Sequence, residues 1–308
     1  MNHTKIIKPS VITLGNFDGF HRGHMALVNA ANEHAKKKDL LSMIFTTSPS
    51  ASEFFGKEKK KILDDKAFFV RKHKLCDLFI SYKFDYKTAD TKPLDFLSMI
   101  TRDYNVRAIV VGENYRYGKD AKGDISLLEE FTNEYEIDLI VLKLLYEGEM
   151  KISSTNIRKF ISEGDIEKAN YLLGYNFFKR AFALKADGRG SAIGFPTANL
   201  DFEENSLVPS FGVYITKTTV LGNTFNSITN VGPKPTFDVL MPQIETHIIG
   251  KQMRDLYGET MEVSFYKKIR DVVKFSSVEE LKKQINLDIE IAKDYFAQEK
   301  NINANTKI

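Results

Sequence analysis

The 308-residue chain reads as an α/β half with a parallel sheet, followed by a mainly-β half of antiparallel strands and one terminal helix. Three observations carry this reading. Up to about residue 160, short apolar runs alternate with amphipathic helical segments, the pattern of strands joined by crossover helices. From "RAFALKADGRG" to "MEVSFYKKI" the apolar runs become short, β-branched and punctuated by Gly, Pro, Asn and Asp, as in an antiparallel barrel or sandwich. A long helical stretch, "SVEELKKQINLDIEIAKDYFAQ", follows.

In chain order, "VITLGNF", "LLSMIFT", "LFISYKF", "RAIVVGE" and "DLIVLKLL" are expected as buried strands, with "HMALVNAANEHAKKK" an amphipathic helix after the first. Such sheets bind ligands beyond the carboxyl ends of their strands. The charged run "KEKKKILDDK" reads as a solvated loop or helix start, not a binding patch. The texture changes after "STNIRKFISEGDIEKANYLLG", which places a domain break near residue 180 and gives domains of 1–180 and 181–308. Ser277 is positioned to cap the last helix, with Glu279 and Glu280 in its positive first turn. The tail "NINANTKI" is expected to fray, and there is no internal repeat.

Bulk composition bounds the function classes. With 43% hydrophobic and 12% aromatic residues the chain can bury a substantial core, and its length suggests about two domains. A formal charge of +3, from 44 basic and 41 acidic side chains, is small and interspersed. That argues against a dedicated nucleic-acid or membrane-surface protein and leaves an anionic small molecule as a compatible partner. The lone cysteine, Cys76, excludes an internal disulfide and a multi-cysteine zinc site. No run approaches the ~18 apolar residues of a membrane span, and "MNHTKIIKPS" has no apolar secretion core, so a cytoplasmic protein is expected.

The string "GNFDGFHRGH", residues 15 to 24, follows the first apolar run. Gly15, Gly19 and Gly23 permit tight turns and close backbone approach to a ligand. A helix beginning near His21 would aim its free N–H groups and positive dipole end at the strand terminus, which makes an anion site. His21 and His24 would share one face of its first turn, able to donate to phosphate oxygens. Taken alone, the pair reads first as one capping and one packed histidine, and a zinc pair finds only Asp18 as a further ligand nearby.

Two later strings have the same flavour. "VGENYRYGKDAKGD" (111 to 124) follows a strand and is rich in glycine and aromatics. Ser153, Ser154 and Thr155 stand at the start of an amphipathic helix as caps, with Arg158 one turn in, within reach of phosphates. In the second half, "GRGSAIGFPTANL" (188 to 200) sets Gly-rich backbone before a Pro-constrained turn. Such backbone can wrap phosphates, and Thr197 with Asn199 offers two neutral oxygens to a magnesium ion. "ITNVGPKPTFD" (228 to 238) and "ETHIIG" (245 to 250) follow. Glu245 is an acid in an otherwise apolar strand, either solvent-facing or, beside a nucleotide, a general base.

"GNFDGFHRGH" resembles the HxGH signature of the nucleotidyltransferase superfamily, and all these strings together resemble the bacterial bifunctional riboflavin kinase/FAD synthetase family across nearly the whole chain. "GFPTAN" is specific to riboflavin kinases, and "NVGPKPTF", "ETH", "DLYG" and "KFSSVEELKKQINLDIEIAK" extend the match. The resemblance implies a Rossmann-like nucleotidyltransferase domain and an antiparallel riboflavin kinase barrel. It implies that the ribityl hydroxyl of riboflavin attacks the γ-phosphate of ATP in the barrel, giving FMN and ADP. FMN's phosphate then attacks the α-phosphate of a second ATP in the N-terminal domain, giving FAD and pyrophosphate. By position, Glu245 matches the family's base, Thr197 and Asn199 its magnesium and phosphate positions, and His21 and His24 its phosphate-binding pair. Ser154 and Arg158 fall at the pyrophosphate end. Gly15, Phe17, Asp18, Gly23, Asn114, Ser153 and Thr155 complete the first nucleotide site, and Gly188, Arg189, Gly194, Pro196 and Arg270 the second. No partner beyond ATP, magnesium and flavin is implied.

The chain departs from the family pattern at several positions. Thr46, Thr47 and Ser48 stand where the family reads Asp, Pro and His, and Asn114 where it has Asp. In the kinase half Ala186 replaces a glycine, Ser191 and Lys234 replace arginines, and Val272 replaces a glutamate. Two alternatives follow from these changes: a chain that retains one of the two activities, and a non-catalytic flavin-binding regulator.

Overall fold

The computed structural model describes residues 8–57, 59–185, 189–234, 241–251 and 256–305. The chain divides into two compact units, residues 1–61 with 65–154, and 62–64 with 155–308.

The first unit opens with β1 (Ser10–Leu14), α1 (Arg22–Lys38), β2 (Leu41–Ser48) and the short α2 (Ala51–Phe54). α3 (Lys66–His73), β3 (Leu78–Lys83), α4 (Tyr86–Ala89) and α5 (Pro93–Tyr104) follow. β4 (Val106–Gly112), α6 (Ile125–Glu134), β5 (Asp138–Leu142) and a small hairpin of β6 (Tyr146–Glu147) and β7 (Met150–Lys151) complete it. β1 to β5 are the five expected apolar runs, all parallel, in the order β3-β2-β1-β4-β5.

The central strands are apolar along their length because both sheet faces are covered. Val11, Ala108 and Val110 cluster with Ala31 and Ala35 of α1. Their neighbours Ile12, Leu14, Ile109 and Val111 turn the other way, onto Phe96, Leu97 and Ile100 of α5 and Leu128 and Phe131 of α6. The strand order reverses between β1 and β4, which opens a ligand crevice at their carboxyl ends.

The charged run before α3 is only partly a solvated loop. Asp65 does cap α3, accepting from the Phe68 amide at 2.8 Å. Ile62 and Leu63, however, are buried, and Ile62–Asp64 belong to the second unit. Apolar residues inside a lysine-rich stretch follow the core that covers them, not the average polarity of the window.

α7 (Ser154–Glu163) spans the division between the units, and α8 (Ile166–Leu173) packs with the second. β8 (Phe178–Lys185), α9 (Arg189–Ala192), β9 (Ala198–Asp201), β10 (Gly212–Val220), β11 (Asn223–Lys234), β12 (Met241–Ile248), β13 (Thr260–Arg270) and α10 (Val278–Asn305) follow. The strands form a closed barrel in the order β10-β11-β12-β9-β8-β13. The texture of the sequence changes near residue 180, whereas the compact units divide between Ser154 and Thr155. The physical link is Asn170 of α8, whose side chain donates to Phe265 O at 2.8 Å and accepts from the Phe177 amide at 2.7 Å.

The barrel wall alternates. Ile215 and Ile228 face α10 and pack on Ile289, Ala292 and Phe296. Thr216, Thr218, Ser227, Thr229 and Thr246 therefore turn inward, where they are fully buried and satisfy one another through hydroxyl contacts of 2.8 to 3.3 Å. Ser277 caps α10 as expected, accepting from the Glu280 amide at 3.2 Å. The helix runs on to Asn305, into the segment expected to fray, since each added residue closes another backbone hydrogen bond once a helix exists.

Candidate active sites

At the carboxyl end of β1 the chain enters a loop that few side chains tolerate, with φ of 49° at Phe17, 84° at Gly19 and 36° at Phe20. Burial holds it in place: both phenylalanines are fully buried, their rings stack at 5.4 Å, and Phe20 stacks in turn on Phe69. Gly15 leaves the space that the Phe17 ring fills, since a Cβ there would stand 3.2 Å from the ring.

The loop delivers His21 as the N-cap of α1, where its Nδ1 accepts from the His24 amide at 3.3 Å. The neutral His21 ring therefore keeps its proton on Nε2. His24 stacks on His21 with centroids 3.7 Å apart, and a Cβ on Gly23 would press on the His21 ring at 3.2 Å. Burial, with His21 and Lys66 nearby, holds the His24 pKa well below its ordinary value. One imidazole caps and the other is packed, and the N-terminal amides of α1 stand at the carboxyl end of β1.

Asp18 is 6% exposed, and its carbonyl accepts the Ser154 hydroxyl at 2.8 Å. That bond brings the first residue of α7 to the loop, with Ser153 and Thr155 on either side of it in sequence. Arg158, one turn further along α7, falls in the second unit. Asn114 lies just past the end of β4, the strand beside β1, so the second motif reaches the same crevice. There Tyr115 and Tyr117 stack at 5.6 Å.

Two features of this site escape the sequence reading. Lys66, at the start of α3, donates to the carbonyl of Asn16 and to its Oδ1 at 3.1 Å, and Thr46 donates to the same carbonyl at 3.0 Å. Burial lowers the Lys66 pKa while Asp18 and Glu53 pull it back. Its hydrogen-bond partners are neutral oxygens, and the Asp18 and Glu53 carboxylates stand near enough to favour its charged form. The other feature is an aromatic cluster past the ends of β2 and β3. Phe54 meets Phe55, Phe84 and Tyr86 edge-on at 4.9 to 5.3 Å, and Phe55 and Tyr86 are 62% and 82% exposed. Exposed aromatics near a strand terminus were the signal available for it.

The second site is a row of side chains across three barrel strands. Glu245 on β12 pairs with Asn199 on β9 and with Asn230 on β11. Directly opposed residues share a face, with Cβ atoms roughly 5 Å apart. Asn230, which the sequence reading does not single out, thus completes the row, and its side chain leans over Gly232, where a Cβ would stand 3.3 Å from Nδ2. The turn ahead of Asn199 is held by several bonds: His247 Nδ1 donates to Pro196 O at 2.8 Å and the Tyr257 hydroxyl to Thr197 O at 3.2 Å. Burial lowers the His247 pKa although that hydrogen bond raises it. Gly194, with φ of 96°, makes the preceding turn. Gly188, Ala186 and the side chains of Arg189, Ser191 and Lys234 lie outside the described residues. Val272 is exposed. Arg270 is held by Asp288 of α10 through Nε at 3.1 Å and Nη2 at 2.8 Å, with Asp288 1% exposed.

Among the described residues, the buried side-chain polar atoms without a hydrogen-bond partner are His24 Nδ1, Tyr117 OH and Asn199 Oδ1. All three fall inside motifs read from the sequence. Buried polar groups are otherwise satisfied almost everywhere in proteins, so these three atoms stand out as open to a further hydrogen bond or ion contact.

Residues 3–156 match the FAD synthetase family model and residues 173–296 the riboflavin kinase model. A bifunctional riboflavin kinase/FMN adenylyltransferase from Buchnera aphidicola is 34% identical over 304 residues, 96% of each chain. The chain belongs to this family. The Bacillus subtilis bifunctional riboflavin kinase/FMN adenylyltransferase is 33% identical over 94% of this chain and 93% of its own. The chain thus carries both enzymatic domains of an ATP-dependent transferase, which favours the bifunctional reading over a single activity or a regulator. A crystal structure of a macrolide-efflux protein from Streptococcus pneumoniae has the same fold, with a TM-score of 0.85, 30% identity and coverage of 95% of this chain and 97% of that one. Among the described residues here, no helix is long and apolar enough to cross a membrane.

Proposed function

We propose that residues 1–180 adenylylate FMN to FAD and residues 181–308 phosphorylate riboflavin to FMN, each with its own ATP. The observation that carries the assignment is the placement of the orphaned atoms: His24 and Tyr117 in the strand-end motifs of one half, Asn199 beside Glu245 in the other.

In the adenylyl transfer, FMN brings its own nucleophile, so the protein's task is alignment and charge neutralisation. A phosphate oxygen of FMN attacks the α-phosphorus of ATP as the bond to pyrophosphate breaks. His21 donates from Nε2, the α1 amides face the triphosphate, and Lys66 supplies positive charge beside the loop. Ser154 and Arg158 serve the leaving pyrophosphate. The Phe54, Phe55, Phe84 and Tyr86 cluster offers an aromatic surface for the flavin ring.

In the phosphoryl transfer, Glu245 takes the proton of the ribityl hydroxyl as its oxygen attacks the γ-phosphorus and ADP departs. Magnesium fits this site: Asn199 Oδ1 is a buried acceptor without a partner, and Thr197 lies two residues before it. Among the described residues no cluster of three or more His, Cys, Asp or Glu offers a metal cage, so Thr197 and Asn199 would hold the ion together with the nucleotide's phosphates. When bound, it neutralises charge on the transferring phosphate. A cytoplasmic location completes the reading, supported by the single cysteine.

The deciding experiment supplies purified protein with riboflavin, ATP and magnesium and separates products by chromatography. FMN followed by FAD is the expected result, and absence of both at saturating substrate overturns the proposal.

A further inference from the structure

The "ETHIIG" string contributes Glu245 to the kinase chemistry, and its histidine has no part in that account. His247 lies two residues along β12, on the same face as Glu245, and is 9% exposed. Its Nδ1 stands 2.8 Å from the carbonyl oxygen of Pro196. A carbonyl only accepts, so the neutral ring carries its proton on Nδ1. The ring also meets Phe195 edge-on at 5.8 Å.

Phe195 and Pro196 lead directly into Thr197. The Phe195 amide donates to Gly190 O at 2.8 Å, and a Cβ on Gly190 would collide with the Phe195 carbonyl. Tyr257 holds the carbonyl of Thr197. The turn is therefore pinned on several sides, and His247 is the pin that comes from the strand of Glu245 itself. It ties the strand bearing the base to the turn bearing the neutral oxygens.

We propose that His247 is a positioning residue for phosphoryl transfer: its Nδ1–H, bound by Pro196 O, sets the turn that presents Thr197 and Asn199 to magnesium. This rests on the assignment of Thr197 and Asn199 given above. His247 acts through the turn and touches neither flavin nor nucleotide. Because the donor is Nδ1, asparagine reproduces it and glutamine, whose amide reaches the Nε2 position, does not.

Riboflavin phosphorylation by the full chain, His247→Asn and His247→Gln is measured against magnesium concentration. His247→Gln should raise the magnesium half-saturation about tenfold with a smaller change in kcat, and His247→Asn should stay within about threefold of the parent. FAD formation from supplied FMN should be unchanged in both variants. Calorimetric titration of ADP with magnesium should rank the three proteins in the same order without turnover. Equal half-saturation in His247→Gln and the parent, or equal impairment of the two variants, overturns the proposal. Should His247→Gln not fold, nitrogen-15 NMR of the parent decides: a proton on Nδ1 supports the proposal and one on Nε2 overturns it. Asn199→Ala separates the two assignments. If it leaves the magnesium half-saturation unmoved, the metal assignment fails; if it raises it while His247→Gln does not, only the role of His247 fails.

Discussion

The strand-end loop of the first unit and the barrel wall of the second, the two nucleotide sites proposed above, are built from different materials. In the loop the backbone does most of it: residues at positive φ turn the chain, and a helix start supplies amides. On the barrel wall the functional groups are side chains, aligned because Asn199, Glu245 and Asn230 are cross-strand partners. The contrast shows where each site is vulnerable. The loop depends on the buried Phe17 and Phe20 that keep its shape, and the row depends on register, since a slip of one residue turns every side chain to the other face.

The largest effect should come from the row. Glu245→Gln removes the base and should slow FMN formation about a thousandfold, with FAD formation from supplied FMN unaffected. Equal loss of both activities, read by chromatography, would break the separation of the sites.

Next is the scaffold of the second unit. Lys179 is fully buried and pairs with Asp64 at 2.8 Å, while Ser206 donates to the other Asp64 oxygen at 2.7 Å. Asp64→Ala removes the carboxylate that faces this buried ammonium and should destabilise the barrel by about 3 kcal/mol in urea unfolding. Adding Lys179→Met should recover most of that loss, because it removes the buried charge itself.

His24→Ala should slow FAD formation about a hundredfold and leave riboflavin phosphorylation intact, the mirror image of the glutamate change. If both activities fall together, the two-site comparison fails from the other side.

The smallest expected effect is in pH dependence. Burial lowers the His24 pKa well below the ordinary histidine value of about 6.5, so below that pH the unfolded chain takes up a proton that the folded chain does not. Stability should therefore fall as pH drops below about 6.5, by at most about 1.4 kcal/mol per pH unit for this group. His247 acts with the same sign in the barrel. Unfolding curves at pH 7 and about pH 5.5 test this, and His24→Phe should flatten the slope for the first unit only.

Much of both sites was legible because it lies in continuous strings at the ends of strands. His21 and His24 share one helical turn, and Thr197 and Asn199 sit two residues apart, so spacing alone brings them together. Lys66 was not legible: it meets Asn16 across 50 residues, and its neighbours read as a solvated charge run. Asn230 stands at the head of the quoted "NVGPKPTF" string, but its place in the row was not legible for a related reason, since it comes from being opposite Glu245 and not from its own flanks. Arg270 shows the reverse case, in which a matching position proves to be engaged by a buried aspartate that no local pattern pairs with it.

The amino-acid sequence by itself determined the five parallel strands, the β-rich second half, the capped final helix and the motifs at strand ends. These follow from apolar periodicity and from glycine and proline backbone preferences, which act over a few residues. Only the tertiary structure decided that β4 lies beside β1, that Asn230 joins Asn199 and Glu245, and that Ile62–Asp64 belong to the second unit. A residue's burial is written locally, but which distant surface buries it depends on how all the apolar faces cover one another at once.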